Sequence, residues 1–298
     1  MKRIILILNA GAGSVEEESR GVLEQALAEN GLEGEIWLSR GDELRELTQR
    51  AIAQKVDAVF AAGGDGTISG VASALAGTDI PLGVIPLGTL NHFAKDLGIP
   101  LPLAEALRAL AVGESTQVDI GRVNGRTFIN NSSIGLYPRM VRRRQVEMDH
   151  RGRKKWVGMI QAGFAVLRRF RLTRVRIGSN DQTFHLKTPF VFVGNNAYET
   201  GLLSVGSRTQ LNSGLLSLYT PHKTSRWGLL RLAIRALLGK LNRTDAFTVV
   251  LGKEFWVDSH KKDMHVSIDG EILTLQPPLH YEILPGALKV LIPRKKED

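Results

Sequence analysis

The chain has 298 residues, a formal net charge of +9 and no cysteine, and 43% of its residues are apolar. That length supports a well-buried core in one large domain or two modest ones, while the lack of cysteine excludes disulfides and thiolate metal sites and is compatible with a reducing interior. No uninterrupted apolar run reaches the roughly 18 residues needed to cross a bilayer, and the apolar run after Met1-Lys2-Arg3 is too short for a secretion-signal core.

The first hundred residues alternate strand and helix patterns. Arg3 to Leu8, with the unbroken apolar run Ile4 to Leu8, is expected to be a short buried strand. Ser14 followed by Glu17 resembles a capping box, and Val22, Leu23, Ala26 and Leu27 give the next helix one apolar side. Glu35 to Ser39 is a second strand, and a helix from about Asp42 carries Leu44, Leu47, Ala51 and Ile52 on one face. Asp57 to Ala62 is a third strand ending in Gly63-Gly64, a helix covers Thr67 to Ala76, and Pro81 to Ile85 is a fourth strand. This βαβαβαβ order predicts an α/β domain with a parallel sheet, helices on both faces, and a ligand at the carboxyl ends of the strands.

Near Ser115 the pattern changes to short strand-like runs separated by turn signals: Asn124-Gly125, Ser179-Asn180-Asp181, Asn195-Asn196, Asn212-Ser213-Gly214 and Asp269-Gly270. Such spacing predicts a mainly antiparallel β-sandwich, interrupted by helical stretches at Trp156 to Phe170 and Ser225 to Leu241. The division expected is 1–122 and 123–298, and whether the C-terminal segment packs back on the first domain stays open. Between Arg139 and Arg176 lie 13 Lys/Arg against two acids, a net +11, so the remaining chain is at −2. A block of this kind favours an anionic partner, and with few aromatics and no nucleic-acid motif it points to an acidic membrane surface rather than nucleic acid; a solvated basic loop is the plainer alternative.

Three strand ends carry glycine-rich turns. Ala62-Gly63-Gly64-Asp65-Gly66-Thr67 sits between a buried strand and a helix. Its glycines permit close backbone approach, and the helix start offers unpaired N–H groups and a positive dipole end suited to phosphate. Asp65 fits such an anion site if it works through Mg²⁺ or a ribose hydroxyl; otherwise it is a helix cap in an ordinary turn. Pro86-Leu87-Gly88-Thr89-Leu90-Asn91 repeats the pattern after the next strand, and Asn9-Ala10-Gly11-Ala12-Gly13-Ser14 follows the first. Neither GxGxxG nor GxxxxGK[ST] is completed, which argues against Rossmann dehydrogenases and P-loop NTPases. No HExxH or GxSxG occurs, the seven histidines lack metal-ligand spacing, and His92 beside the second loop is either functional or a cap.

GGDGT followed by PLGTLNHFAKDLGIP resembles the diacylglycerol kinase catalytic family, which includes bacterial YegS-like lipid kinases. The likeness continues through Val118-Asp119-Ile120-Gly121, Asn130-Asn131-Ser132-Ser133-Ile134-Gly135 and Asn195-Asn196, and ends with Asp269-Gly270-Glu271 and Pro285 to Val290. It implies two domains with ATP bound between them and Mg²⁺ arriving with the nucleotide. Asn9, Gly63, Gly64, Asp65, Gly66, Thr67, Gly88, Thr89 and Asn91 would bind ATP. Asp269 would be the general base for a lipid hydroxyl, with Glu271 beside it and Asp65 in the catalytic set, although Asp269-Gly270 on its own reads as a hairpin turn. A lipid acceptor and a cytoplasmic enzyme peripheral to the inner membrane face follow from the same resemblance.

Three places depart from the family pattern. Ser69-Gly70 stand where Asn-Glu often follows GGDGT, and His92 stands where Asp is common. Asn212, Ser213 and Ser217 stand where carboxylates often hold an accessory metal, so that metal site is not expected here. The alternatives are an NAD kinase, which shares GGDGT but should carry a mid-chain Thr-Gly-Ser-type stretch absent here, and a lipid- or nucleotide-sensing protein that has lost catalysis.

Overall fold

A computed structural model of the chain describes residues 2–9, 17–40, 42–135, 172–179, 182–198, 208, 210–221, 225, 228 and 247–294. The helical stretches expected at 156–170 and 225–241, most of the basic block, and the Ser14 cap lie outside the described residues. The chain forms two units. One comprises Met1–Ile120, Leu211–Ser213 and Leu284–Asp298, and the other Gly121–Gln210 and Gly214–Ile283.

The first unit is an α/β layer structure. β1 (Lys2–Asn9), β2 (Leu32–Ser39), β3 (Ala58–Gly63) and β4 (Leu82–Pro86) pair in parallel in the order β2-β1-β3-β4. Ile4 to Leu8 and all of β3 are buried, as continuous apolar runs in a covered parallel sheet must be. β2 begins three residues earlier than its sequence pattern suggests. It is an edge strand with exposed Glu33, Gly34 and Glu35, so only Leu32, Ile36 and Ser39 carry the buried signal. The helices are α1 (Glu17–Glu29), α2 (Leu44–Ala53), α3 (Asp65–Leu75), the short α4 (His92–Asp96) and α5 (Leu103–Ala111). A strand from the far end of the chain joins this sheet, as Val290 pairs in parallel with Leu82 of β4. β1 lies between β2 and β3, so the chain winds in opposite directions on its two sides. The carboxyl ends of β1 and β3 therefore flank the position where an open α/β sheet takes its ligand.

The second unit is an antiparallel β-sandwich. β7 (Asn131–Gly135), β10 (Phe190–Asn195), β11 (Leu216–Pro221), β12 (Phe247–Gly252), β14 (Met264–Ile268) and β15 (Glu271–Leu275) form a sheet in the order β12-β11-β10-β7-β14-β15. A second sheet contains β8 (Thr173–Ser179), β9 (Gln182–Thr188), β13 (Glu254–Asp258) and the first part of β16 (Leu279–Ile292). Side chains of both sheets meet in one core, including Ile134, Val191, Leu218 and Val266 from the first and Val175, Ile177, Phe255 and Tyr281 from the second. β5 (Glu114–Val123) and β6 (Arg126–Phe128) close over Asn124-Gly125, while β14 and β15 close over Asp269-Gly270. Both two-residue loops have positive φ at each position, 45° and 80° in the first, 45° and 93° in the second, as a type I′ hairpin requires.

Candidate active site

The strand-end loops of the first unit form one connected cluster. The Asn9 amide at the end of β1 donates to Thr67 Oγ1 at 2.8 Å, and Leu87 N–H donates to Gly63 O at 3.0 Å. A Cβ on Gly88 would lie 2.6 Å from Gly64 Cα, so the two glycine turns touch through their backbones. Asn91, in the left-handed region at φ 50°, accepts the Gly88 N–H and donates back to the Gly88 carbonyl at 3.0 and 2.8 Å. Its side chain thereby fixes the curvature of its own loop. Asp65 does not cap its own helix: its Oδ1 accepts the N–H of His92 at 2.8 Å, linking the start of α3 to the start of α4. Gly66 and Thr89 are exposed at the rim of these turns.

The first turn of α3 has no side-chain cap. Its leading N–H groups cannot bond within the helix, which makes them donors for an anion. Gly64 has an ordinary φ of −85°, and a Cβ there would meet nothing closer than Gly88 Cα at 3.7 Å. Neither backbone conformation nor internal packing demands glycine at 64.

In the second unit the Asp269 hairpin turn is also an anion-holding device. Oδ2 accepts the Ile129 N–H at 2.8 Å, and Oδ1 accepts the N–H groups of Asn130 and Asn131, both at 2.9 Å. Ile129 and Asn130 form the bend between β6 and β7, where the chain leaves the ladder and three successive N–H groups converge on one point. The Asp269 N–H donates to Asn131 O, which locks the turn against the same segment. The turn reading and the carboxylate reading therefore hold together. Glu271 opens β15 opposite Ile268 and is exposed.

Residues 3–123 match the diacylglycerol kinase catalytic domain, and residues 140–292 match the YegS C-terminal NAD kinase beta sandwich-like domain. A Klebsiella pneumoniae (strain 342) protein named "Probable lipid kinase YegS-like" is 31% identical, covering 97% of this chain and 95% of its own. The chain belongs to the YegS-like diacylglycerol kinase family. A Salmonella newport (strain SL254) protein named "Probable lipid kinase YegS" is 31% identical over 80% of this chain and 79% of its own. A solved diacylglycerol kinase structure from Bacillus anthracis str. Sterne has the same fold, with a TM-score of 0.69 at 23% identity over 98% of this chain and 97% of that one. Another solved chain from that organism superposes with a TM-score of 0.75.

The departures of this YegS-like chain from its family pattern have local physical accounts. A Cβ on Gly70 would lie 2.9 Å from Leu44 Cδ1, so the small residue lets α2 close on α3. At position 92 Asp65 holds the main chain, which any residue with an N–H supplies. Ser217 is buried and donates to Asn196 O at 2.6 Å, so its hydroxyl already serves the fold. No group of three or more His, Cys, Asp or Glu side chains among the described residues could hold a metal ion. Asp65 is the carboxylate at the loop cluster.

Two features of the site carry little sequence signal. Asp119 of the Val-Asp-Ile-Gly motif is buried and accepts the Gly286 N–H at 2.9 Å, joining two motifs 167 positions apart. Arg208, also buried, donates to Ile129 O, Asn195 O and Asn130 Oδ1. Within the sequence it is one of 39 basic residues and lies outside the basic block.

Proposed function

We propose that this chain transfers the γ-phosphoryl group of ATP to a hydroxyl group of a lipid. The observation that carries the reading is the strand-end cluster of the first unit: two touching glycine turns, an uncapped helix start and one carboxylate, an arrangement suited to the phosphates of a nucleotide. Asn9, Gly63, Gly64, Gly66, Thr67, Gly88, Thr89 and Asn91 build or border the nucleotide loops. Asp65 is the carboxylate that would meet a cation there. Bound Mg²⁺ supplies charge neutralisation across the phosphates.

Asp269 accepts the proton of the acceptor hydroxyl as that oxygen bonds to the γ-phosphorus, and the bond to the bridging oxygen breaks with its electron pair leaving on ADP. Glu271, two residues on, adds negative charge near the incoming hydroxyl. The basic block from Arg139 to Arg176 favours docking on an anionic bilayer, at roughly 1 kcal/mol per basic residue near the surface. This makes the chain a peripheral enzyme of the cytoplasmic membrane face. No helix among the described residues is long and apolar enough to cross a membrane.

The test is labelled-phosphate transfer from Mg·ATP into total lipid extract presented in mixed micelles, with the Asp269→Asn variant alongside. A labelled lipid that disappears in the variant is expected, and the product names the acceptor. Label in NAD instead would turn the reading to an NAD kinase. ATP binding without turnover across several metals and lipids would turn it to a sensing protein.

A further inference from the structure

We infer that Arg208 is a positioning residue for the Asp269 carboxylate, acting through the peptide group that joins Ile129 to Asn130. The inference rests on Asp269 being the proton acceptor of the proposed reaction. Arg208 is only 3% exposed. Its Nη1 donates to Ile129 O at 2.7 Å and to Asn195 O at 3.0 Å, and its Nη2 donates to Asn130 Oδ1 at 2.9 Å. The guanidinium carbon lies 5.5 Å from the centre of the Tyr198 ring. Burying a guanidinium is costly, and apolar residues of similar volume commonly serve stability as well or better. The cost is compensated where the fixed charge and fork geometry of arginine are put to use.

The geometry shows where. Ile129 O, which receives Arg208 and also the Asn195 amide at 3.0 Å, is the carbonyl end of a planar peptide whose other end is the Asn130 N–H. That N–H donates to Asp269 Oδ1. Fixing the carbonyl direction fixes the N–H direction, and a positive charge at the carbonyl end strengthens the donor at the N–H end. The second prong of the fork holds the Asn130 side chain, so residue 130 is gripped on both sides of its Cα. Tyr198 closes the arrangement, donating to Asn130 O at 3.0 Å. Charged and titratable groups around this segment include Arg208 and Tyr198, Tyr281 with its hydroxyl 3.2 Å from Ser132 Oγ, and Glu271 across the hairpin from Ile268. Arg208 does not touch Asp269 in any of these contacts. It sets the frame that aims the carboxylate.

The experiment uses the full chain as wild type, Arg208→Gln, Arg208→Lys and Asp269→Asn. One readout is kcat, KM for ATP and the pH–rate profile for lipid phosphorylation in mixed micelles. The other needs no turnover: titration of the Asp269 side-chain carboxyl by carbon-13 NMR, assigned by its loss in Asp269→Asn. Arg208→Gln is expected to lower kcat by about tenfold or more while KM for ATP stays within about twofold. Its acid limb and the Asp269 midpoint should both move to higher pH, because a less polarised N–H favours the carboxylate less. Arg208→Lys should recover part of each, having the charge without the fork. A folded Arg208→Gln with wild-type kcat and an unmoved Asp269 midpoint overturns the inference. Should Gln fail to fold, Arg208→Lys decides, and an unmoved midpoint there overturns it equally. A wild type that phosphorylates no lipid sinks the kinase reading instead, and a fully active Asp269→Asn sinks the assignment of Asp269 as proton acceptor; in either case the NMR midpoint still judges the link between Arg208 and Asp269.

Discussion

Two hairpins of the second unit share a backbone and differ in what their first turn residue does. Asn124-Gly125 and Asp269-Gly270 have nearly the same dihedral angles, and each joins two antiparallel strands through two residues. Asn124 uses its amide in both senses. It donates to Gln276 O and Pro278 O at 3.0 and 3.3 Å and accepts the His280 N–H at 2.7 Å, stitching its turn to the approach of β16. Asp269 only accepts, and three backbone N–H groups converge on it. Dihedral preference thus selects the pair Asn/Asp-Gly for the turn, while the donor or acceptor character of the surrounding backbone selects which of the two is used.

Exchanging the side chains tests that division most severely at 269. In Asp269→Asn an NH₂ must face a backbone N–H, so a stability loss of about 1–3 kcal/mol is expected from thermal or denaturant unfolding. Phosphate transfer by the folded fraction should fall at least about 10²-fold, the usual contribution of a general base. The reciprocal Asn124→Asp turns an oxygen toward two carbonyls. It should cost about 0.5–2 kcal/mol in the same unfolding assay and leave kcat of the folded enzyme unchanged. A loss of turnover there would break the comparison.

Replacing the glycines sharpens it. Gly125→Ala and Gly270→Ala each put a Cβ at positive φ with nothing within 4 Å to obstruct it, so each should cost about 1 kcal/mol through backbone strain alone. Only the second should lower kcat as well.

The smallest effect concerns the strands behind the Asn124 turn. Arg122 donates to Glu282 at 2.9 Å, and this hydrogen bond holds the Glu282 carboxyl below its ordinary value of 4.5 against a smaller opposing effect of burial. The folded state therefore prefers the ionised form. The stabilisation is fully present above about pH 4.5 and is lost as pH falls through the depressed folded value. With Arg122 more than a third exposed, solvent screening limits the pair to under about 1 kcal/mol. Glu282→Gln should differ from wild type by that amount at pH 7, and the two unfolding curves should converge as the solution is acidified.

Much of the architecture is legible in the chain because its signals are local. Buried parallel strands show as the unbroken runs Ile4 to Leu8 and Ala58 to Ala62, and tight hairpins show as Asn-Gly and Asp-Gly. β2 is legible only in its second half, since an edge strand has few buried positions to reveal it. The glycine loops are visible as motifs, but their contact is not: that Gly88 needs to be small because Gly64 lies against it depends on two strand ends meeting in space. Asp65 illustrates a stricter limit. Its partner is a main-chain N–H, which every non-proline residue at 92 supplies, so no residue type marks it. Arg208 is concealed for the opposite reason: its acceptors are carbonyls and one amide brought in from residues 129, 130 and 195, and nothing near position 208 in the chain announces them.

The bond from His92 N–H to Asp65 also bears on how this position can drift. The first residue of a helix is ordinarily the one place that welcomes proline, because its missing N–H would have gone unused. Here that hydrogen is spoken for by a carboxylate from another loop. In a saturation library selected for function, position 92 should accept a broad range of side chains and purge the imino acid, a selection profile that runs opposite to the usual helix start.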